Sequence, residues 1–133
     1  MKIKQAQINN LQEQFDFLIK DQFNWEEAPV ICELNGVTWL LGQESDVKMT
    51  WEEAISWCET VGGELPSREI LLHCYMNEAI KKEFATPYYY WSSTEFNADY
   101  AWTQSFNIGF QFNGFNKINS TYVRAVRRLV IDK

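Results

Sequence analysis

Long apolar runs, clustered basic residues, an even set of cysteines and metal-type histidine spacing are all missing from this chain of 133 residues, and each absence excludes a class of function. No stretch approaches the roughly 20 apolar residues of a bilayer-spanning helix. The start, Met1-Lys2-Ile3-Lys4-Gln5-Ala6-Gln7, has neither the apolar core nor the small-residue cleavage site of a secretory leader, so a cytoplasmic protein with no membrane association is expected. Proline occurs 3 times and no low-complexity tract is present, which argues for a packed chain over a disordered one. Cys32, Cys58 and Cys74 are an odd number without metal-ligand spacing, so reduced thiols are the expectation.

Positive charge is also thin. The net charge of −6 is unevenly placed: residues 1–69 hold 13 acidic and 5 basic residues, residues 70–133 hold 5 and 7. That balance argues against nucleic acid as a partner, since phosphate binding rests on clustered Lys and Arg. The acidic front half reads as a solvated face, with a surface that engages a basic partner as the alternative.

Rings are what the chain does have. Aromatic residues make up 16% of it, and Tyr88-Tyr89-Tyr90-Trp91 runs directly into Ser92-Ser93-Thr94-Glu95. So much ring surface left in water invites association, so these residues are either largely buried or kept as a contact surface. At this length a single domain buries roughly two thirds of the surface its unfolded form exposes.

Residues 5–22 read as an amphipathic helix with Ile8, Leu11, Phe15 and Leu18 on one stripe. The stripe either packs on the domain or makes a homo-oligomer, and residues 1–24 are taken as a unit separate from a domain over 25–133. Asn35-Gly36 between β-prone runs predicts a type I′ hairpin, with Val30, Cys32 and Leu34 on the core face of one strand and Val37, Trp39 and Leu41 on that of the other. Thr50-Trp51-Glu52-Glu53 is a capping box that starts a helix, which Gly62-Gly63 ends by taking left-handed conformations. Ser67 caps a second helix, with Ile70, Leu71, Cys74 and Tyr75 inward, that runs to about Phe84. Period-two alternation follows from Trp102, with a turn at Asn107-Ile108-Gly109 before Phe110, Gln111 and Phe112, and a last strand over residues 122–131. The order predicts an α+β domain whose first and last strands pair.

Several stretches in series then carry a resemblance. Lys48-Met49-Thr50-Trp51-Glu52-Glu53-Ala54, Gly63-Glu64-Leu65-Pro66-Ser67-Arg68-Glu69-Ile70-Leu71, Tyr90-Trp91-Ser92-Ser93-Thr94-Glu95, Ala101-Trp102 and Val123-Arg124-Ala125-Val126-Arg127-Arg128 together resemble the Lcl C-terminal domain family. The likeness covers residues 37–129 and leaves the first 24 outside. It implies a C-type-lectin-like fold: two main helices, small antiparallel sheets, close termini and a loop region that carries binding. More distantly, the chain is similar to the retroelement-diversified receptor-binding domains of phages, which vary between a Trp-Ser-Ser segment and a C-terminal Arg-containing strand. The corresponding interval here is residues 96–121.

That interval mixes rigid rings with adaptable amides, and Phe96, Asn97, Tyr100, Phe110, Phe112, Phe115 and Asn116 are the candidate contact residues. The alternative is ordinary loops and core rings. Trp51, Trp91, Ser92, Ser93, Trp102, Arg124 and Arg127 are expected to be structural, with at least one arginine half-buried in an ion pair or on loop carbonyls near Trp91-Ser92-Ser93. Tyr88 and Tyr89 are kept as rim contacts.

Catalytic patterns are weak. Calcium-dependent lectin relatives use Glu-Pro-Asn or Gln-Pro-Asp and Trp-Asn-Asp segments, none of which occurs, so no calcium or other metal site is expected. Formylglycine-generating enzymes of the related fold need paired active cysteines, whereas Cys58 and Cys74 fall on different predicted helices. His73 and Cys74 are adjacent on a helix and diverge by about 100°. Glu52 and Glu53 read as a helix start favoured by the macrodipole. No cofactor is expected. The expectation is a non-catalytic module that binds a protein partner by occupancy, in the manner of a phage or prophage protein that inhibits a host factor. A virion receptor-binding protein and an enzyme of unknown reaction on the formylglycine-generating type of fold are the alternatives.

Overall fold

The computed structural model describes residues 23–85 and 88–129, so the expected helix over residues 5–22 lies outside the described residues. A short 3-10 helix, Trp25–Glu27, opens the described chain, with Asn24 Oδ1 accepting from Glu26 N–H.

The Asn-Gly hairpin follows. Asn35 and Gly36 hold φ values of 52° and 80°, the pair of positive angles a type I′ turn demands, and they join β1 (Val30–Leu34) to β2 (Val37–Glu44). Cys32 and Leu34 pack on the core as expected, but a bulge between Val30 and Cys32 corrects the start of β1: Ile31 is buried and Val30 is 54% exposed. One extra residue re-aims the side chains that precede it. The last strand, β6 (Arg124–Arg128), lies along the other side of β2, giving the order β1-β2-β6. First and last strands therefore do not pair, because β2 stands between them. With Trp39, Leu40, Leu41 and Gly42 all buried in succession, β2 is the strand covered on both faces.

Helix α1 (Trp51–Thr60) begins at the capping box. Thr50 Oγ1 accepts from Glu53 N–H at 3.4 Å, and Glu53 Oε1 accepts from Thr50 N–H at 2.9 Å. The Thr50 backbone N–H, aided by its hydroxyl, holds the Glu53 carboxyl below the usual range. Gly62, at φ 84°, ends the helix. Gly63 does not share the left-handed conformation expected of it. Its need is space, since a Cβ there would lie 2.5 Å from Val126 O.

Helix α2 (Arg68–Met76) is capped by Ser67 Oγ, which accepts from Ile70 N–H at 3.2 Å, and buries Ile70, Leu71 and Cys74. It stops at Met76, short of the expected Phe84. Asn77 turns to φ −97°, ψ 108° and its Oδ1 caps a separate one-turn helix, α3 (Glu78–Lys81). An Asn side chain that offers itself to the backbone competes with helix continuation.

The second sheet is β3 (Tyr89–Glu95), β4 (Tyr100–Ser105) and β5 (Gln111–Asn116), antiparallel and in that order, with Gly109 at φ 78° in the β4–β5 turn. The chain is thus mixed α+β, with three α-helices among the described residues and two small antiparallel sheets. Among these residues no helix is long and apolar enough to cross a membrane.

Adjacent residues of a strand point to opposite faces, and β3 uses that to feed two cores. Tyr90 enters one, with Ile31, Trp39 and Leu41 of the first sheet and Ile70, Leu71 and Cys74 of α2. Trp91 enters the other, with Ala54 and Cys58 of α1 and Ala101, Val123 and Ala125. Trp91 N–H donates to Tyr122 O at 2.9 Å and Tyr122 N–H to Tyr89 O at 3.3 Å, which ties β3 of the second sheet to the chain entering β6 of the first. Trp25 closes the second core from outside: its Nε1 donates to Val61 O at 3.0 Å, and its ring fills the space left by Gly42 and Gly63.

Candidate functional site

The Trp-Ser-Ser segment is anchored through side chain and backbone alike. Trp91 is fully buried and its Nε1 donates to Met49 O at 2.8 Å. Ser92 Oγ donates to Trp102 O at 2.6 Å and accepts from Thr94 N–H at 3.2 Å, while Ser92 O accepts from Trp51 Nε1 at 2.8 Å. Ser93 is exposed, and it is its backbone N–H that donates, to Pro66 O at 2.7 Å. These bonds join β3 to α1 and to the entry of α2, so the second sheet is held from two sides.

Its two faces differ. On one, the Arg68 guanidinium lies 3.5 Å from the centre of the Trp102 ring and donates from Nε to Gln111 Oε1 at 2.9 Å. Gln111 Nε2 donates in turn to Gln104 Oε1 at 2.9 Å and Arg68 O at 2.7 Å, so a closed polar latch occupies this side. Phe96, 53% exposed, packs edge-on against Trp102 with centroids 6.0 Å apart.

Thr103 and Ala101, which flank Trp102 and point the other way, pair with Phe112 and Phe115. The opposite face therefore carries a run of rings: Phe110 to Phe112 at 6.2 Å, Phe112 to Phe115 at 5.8 Å, and Phe115 to Tyr89 at 5.0 Å. Phe115 and Tyr89 are half-buried, whereas Phe110 is 53% and Phe112 39% exposed. Beyond Tyr89 the run continues into a hollow of about 410 Å³ with Lys48, Tyr88, Thr121 and Tyr122 on its walls. There Tyr88 stacks on Tyr122 at 6.0 Å.

The expected single surface over residues 96–121 is thus divided. Phe110, Phe112 and Phe115 come together, and Phe96 lies on the other face. Two of the expected contact residues build turns: Asn97 Oδ1 accepts from Asp99 and Tyr100 N–H, both at 2.9 Å, and Asn116 Oδ1 accepts from Ile118 N–H at 3.1 Å. Tyr100 is half-buried.

Lys117 was not among the expected residues. Its Nζ donates to Glu95 Oε2 at 2.7 Å, Ala98 O at 2.9 Å and Asn97 O at 3.0 Å, and sits 4.4 Å from the Trp51 ring centre, locking the β3–β4 turn to α1. The available signal is that it is the one charged residue between Asp99 and Arg124.

The Arg124 side chain is 11% exposed. Its Nε donates to Gly42 O at 2.7 Å and its Nη1 to Glu83 O at 2.5 Å, with Glu44 Oε1 at 3.5 Å. Its partners belong to β2 and to the segment after α3, which corrects the placement near Trp91-Ser92-Ser93. Arg127 is exposed and lies over Trp25, 5.5 Å from the ring centre. The habit is general: of the eight Lys and Arg among the described residues, seven sit over an aromatic ring.

The cysteines are free, and Cys58 and Cys74 belong to different cores. Burial pushes the Cys58 thiol up to about 12, with Glu59 and Glu64 adding to it, and burial likewise raises Cys74. A raised thiol pKa disfavours the thiolate that nucleophilic chemistry requires. His73 is exposed while Cys74 is buried, so the two do not form a dyad. Among the described residues no group of three or more His, Cys, Asp or Glu is placed to hold a metal. No family model matches the chain, and no curated protein matches it.

Proposed function

We propose that the chain is a non-catalytic, C-type-lectin-like binding module, of the kind its motif series resembles, that recognises a protein partner through the ring face of its second sheet. The observation that carries this reading is the exposure of Phe110 and Phe112 on a face whose other rings, Phe115 and Tyr89, are held half-buried by the core. Rigid rings backed by packed neighbours lose little conformational freedom on binding, which is why aromatic anchors dominate contact energies. The pairing of β2 with β6, which brings early and late chain together, and the flanking of small sheets by α1 and α2 support the lectin-like reading of the fold. Binding acts by occupancy, and the version in keeping with the resemblance is a phage or prophage protein that masks a host factor.

The test is affinity purification of the tagged full chain from its native host. Phe110→Ala and Phe112→Ala should each cost on the order of 2 kcal/mol, about thirtyfold in affinity. Ile118→Ala, at a ring-free site that is 79% exposed, should change nothing. Undiminished recovery of the same partners by folded Phe110→Ala and Phe112→Ala chains would count against the ring face.

A further inference from the structure

Strand β5 is the outer strand of its sheet, and among the described residues no strand pairs with its far side. An edge strand leaves a row of backbone donors and acceptors open to pairing with another chain. Proteins usually blunt such an edge with Lys, Pro or inward-pointing charge. Here none of those three is present in the strand, which is interrupted only by its bulge against β4. No charged residue and no proline occurs anywhere in residues 100–116, although 23% of the chain is charged.

The strand also has an internal symmetry. Read outward from the Asn113–Gly114 bond, Gln111-Phe112-Asn113-Gly114-Phe115-Asn116 places a phenylalanine and then an amide at equal distances on either side. A two-fold axis through that bond sets Phe112 opposite Phe115 of a second copy and Gln111 opposite Asn116. Such a pairing needs Phe112 and Phe115 on the same face, which an unbroken strand would forbid at a spacing of three. The irregularity in the β4–β5 register supplies it: Phe112 pairs with Thr103 and Phe115 with Ala101, and the two rings lie 5.8 Å apart. Aromatic pairs directly across strands are among the favourable cross-strand combinations.

From these observations we infer that β5 is a self-association edge, on which two copies of this chain pair antiparallel to form one continuous six-stranded sheet. A second copy fits better than a foreign strand on two counts. The segment is complementary to itself, and it is the uncharged part of a chain of net charge −6, so two copies meet there with the least repulsion. The axis is perpendicular to the sheet and keeps the ring faces of both copies on one side. Self-pairing therefore places Phe112 and Phe115 of the two copies side by side on the proposed partner face and leaves the rest of that face, with Phe110, open and doubled.

Sedimentation velocity on the full chain over a concentration series tests the inference. The parent should reach the mass of two chains, and added salt should tighten the pairing by screening the net charge. Asn113→Lys brings two like charges together at the axis and should weaken pairing about tenfold or more, whereas Ile118→Lys should not. Should Asn113→Lys fail to fold, Asn113→Cys remains: mild oxidation should cross-link it between chains in high yield, and Val47→Cys, 62% exposed elsewhere, should not. A parent that keeps the mass of one chain throughout, or an Asn113→Cys chain that cross-links no better than the Val47→Cys control, overturns the inference. A monomeric Asn113→Lys chain that still retains its partner leaves the binding reading intact, so the two fail separately.

Discussion

Buried thiols give Cys58 and Cys74 a measurable role even without chemistry. A group whose pKa is raised by folding stabilises the native state fully below its unfolded value and progressively less above it. The window for Cys58 therefore opens near the ordinary thiol value of 9.0 and extends to about 12. Stability should fall above about pH 9 by up to ~1.4 kcal/mol per pH unit for each such thiol. Urea unfolding at several pH values, on the parent and on Cys58→Ala, checks this: the alkaline fall should be shallower in the variant, and an identical slope would remove the role. At this scale the sequence was readable where a residue acts on its neighbours and opaque where it acts at a distance. Asn97 followed by Ala98-Asp99 carries the signature of a side chain that closes its own turn, although it was expected as a contact residue. The bonds of Arg124 to Gly42 and Glu83 span 82 and 41 residues, and no short-range pattern announces them.

Elements set by local rules were legible in the same way. The hairpin turn needs only two positive φ angles, and the start of α1 only a reciprocal pair of hydrogen bonds across three residues. The break of α2 at Asn77 is local too, and a second Asn cap inside an apparent helical run was the sign of it. Strand order was not legible, because alternation says which face a residue takes and nothing of which strand lies alongside. Nor was the docking of the 3-10 helix. Trp25 fits because Gly42 has no side chain: a Cβ there would collide with the indole and approach Ala125 O to 2.9 Å. Gly42→Ala should therefore expel Trp25, at a cost of about 1–3 kcal/mol. A red shift of tryptophan emission together with a lower urea midpoint is the expected result, and a shift absent from a Trp25→Phe background would assign it to that ring.

At the scale of the whole molecule, the two cores share β3. Because Tyr90 and Trp91 are successive residues buried in different clusters, neither core can open without pulling the same strand from the other. Unfolding of the described domain should therefore be a single transition, as two-state behaviour requires. Thermal melts followed by near-ultraviolet circular dichroism and by far-ultraviolet signal should coincide, and separated midpoints would show that the clusters melt independently.

The pairing of cations with rings bears on how the protein can be handled at the bench. Acylating Lys117 with an amine-reactive dye would cancel its ion pair with Glu95 and lift the charge off Trp51. Labelling Lys48 or Lys81 would disturb Tyr122 or Tyr75. A fluorophore or a surface tether is better carried by a thiol placed at an exposed position such as Val47 once the half-buried Cys32 is replaced, since the native cysteines at 58 and 74 are too deeply buried to compete for the reagent.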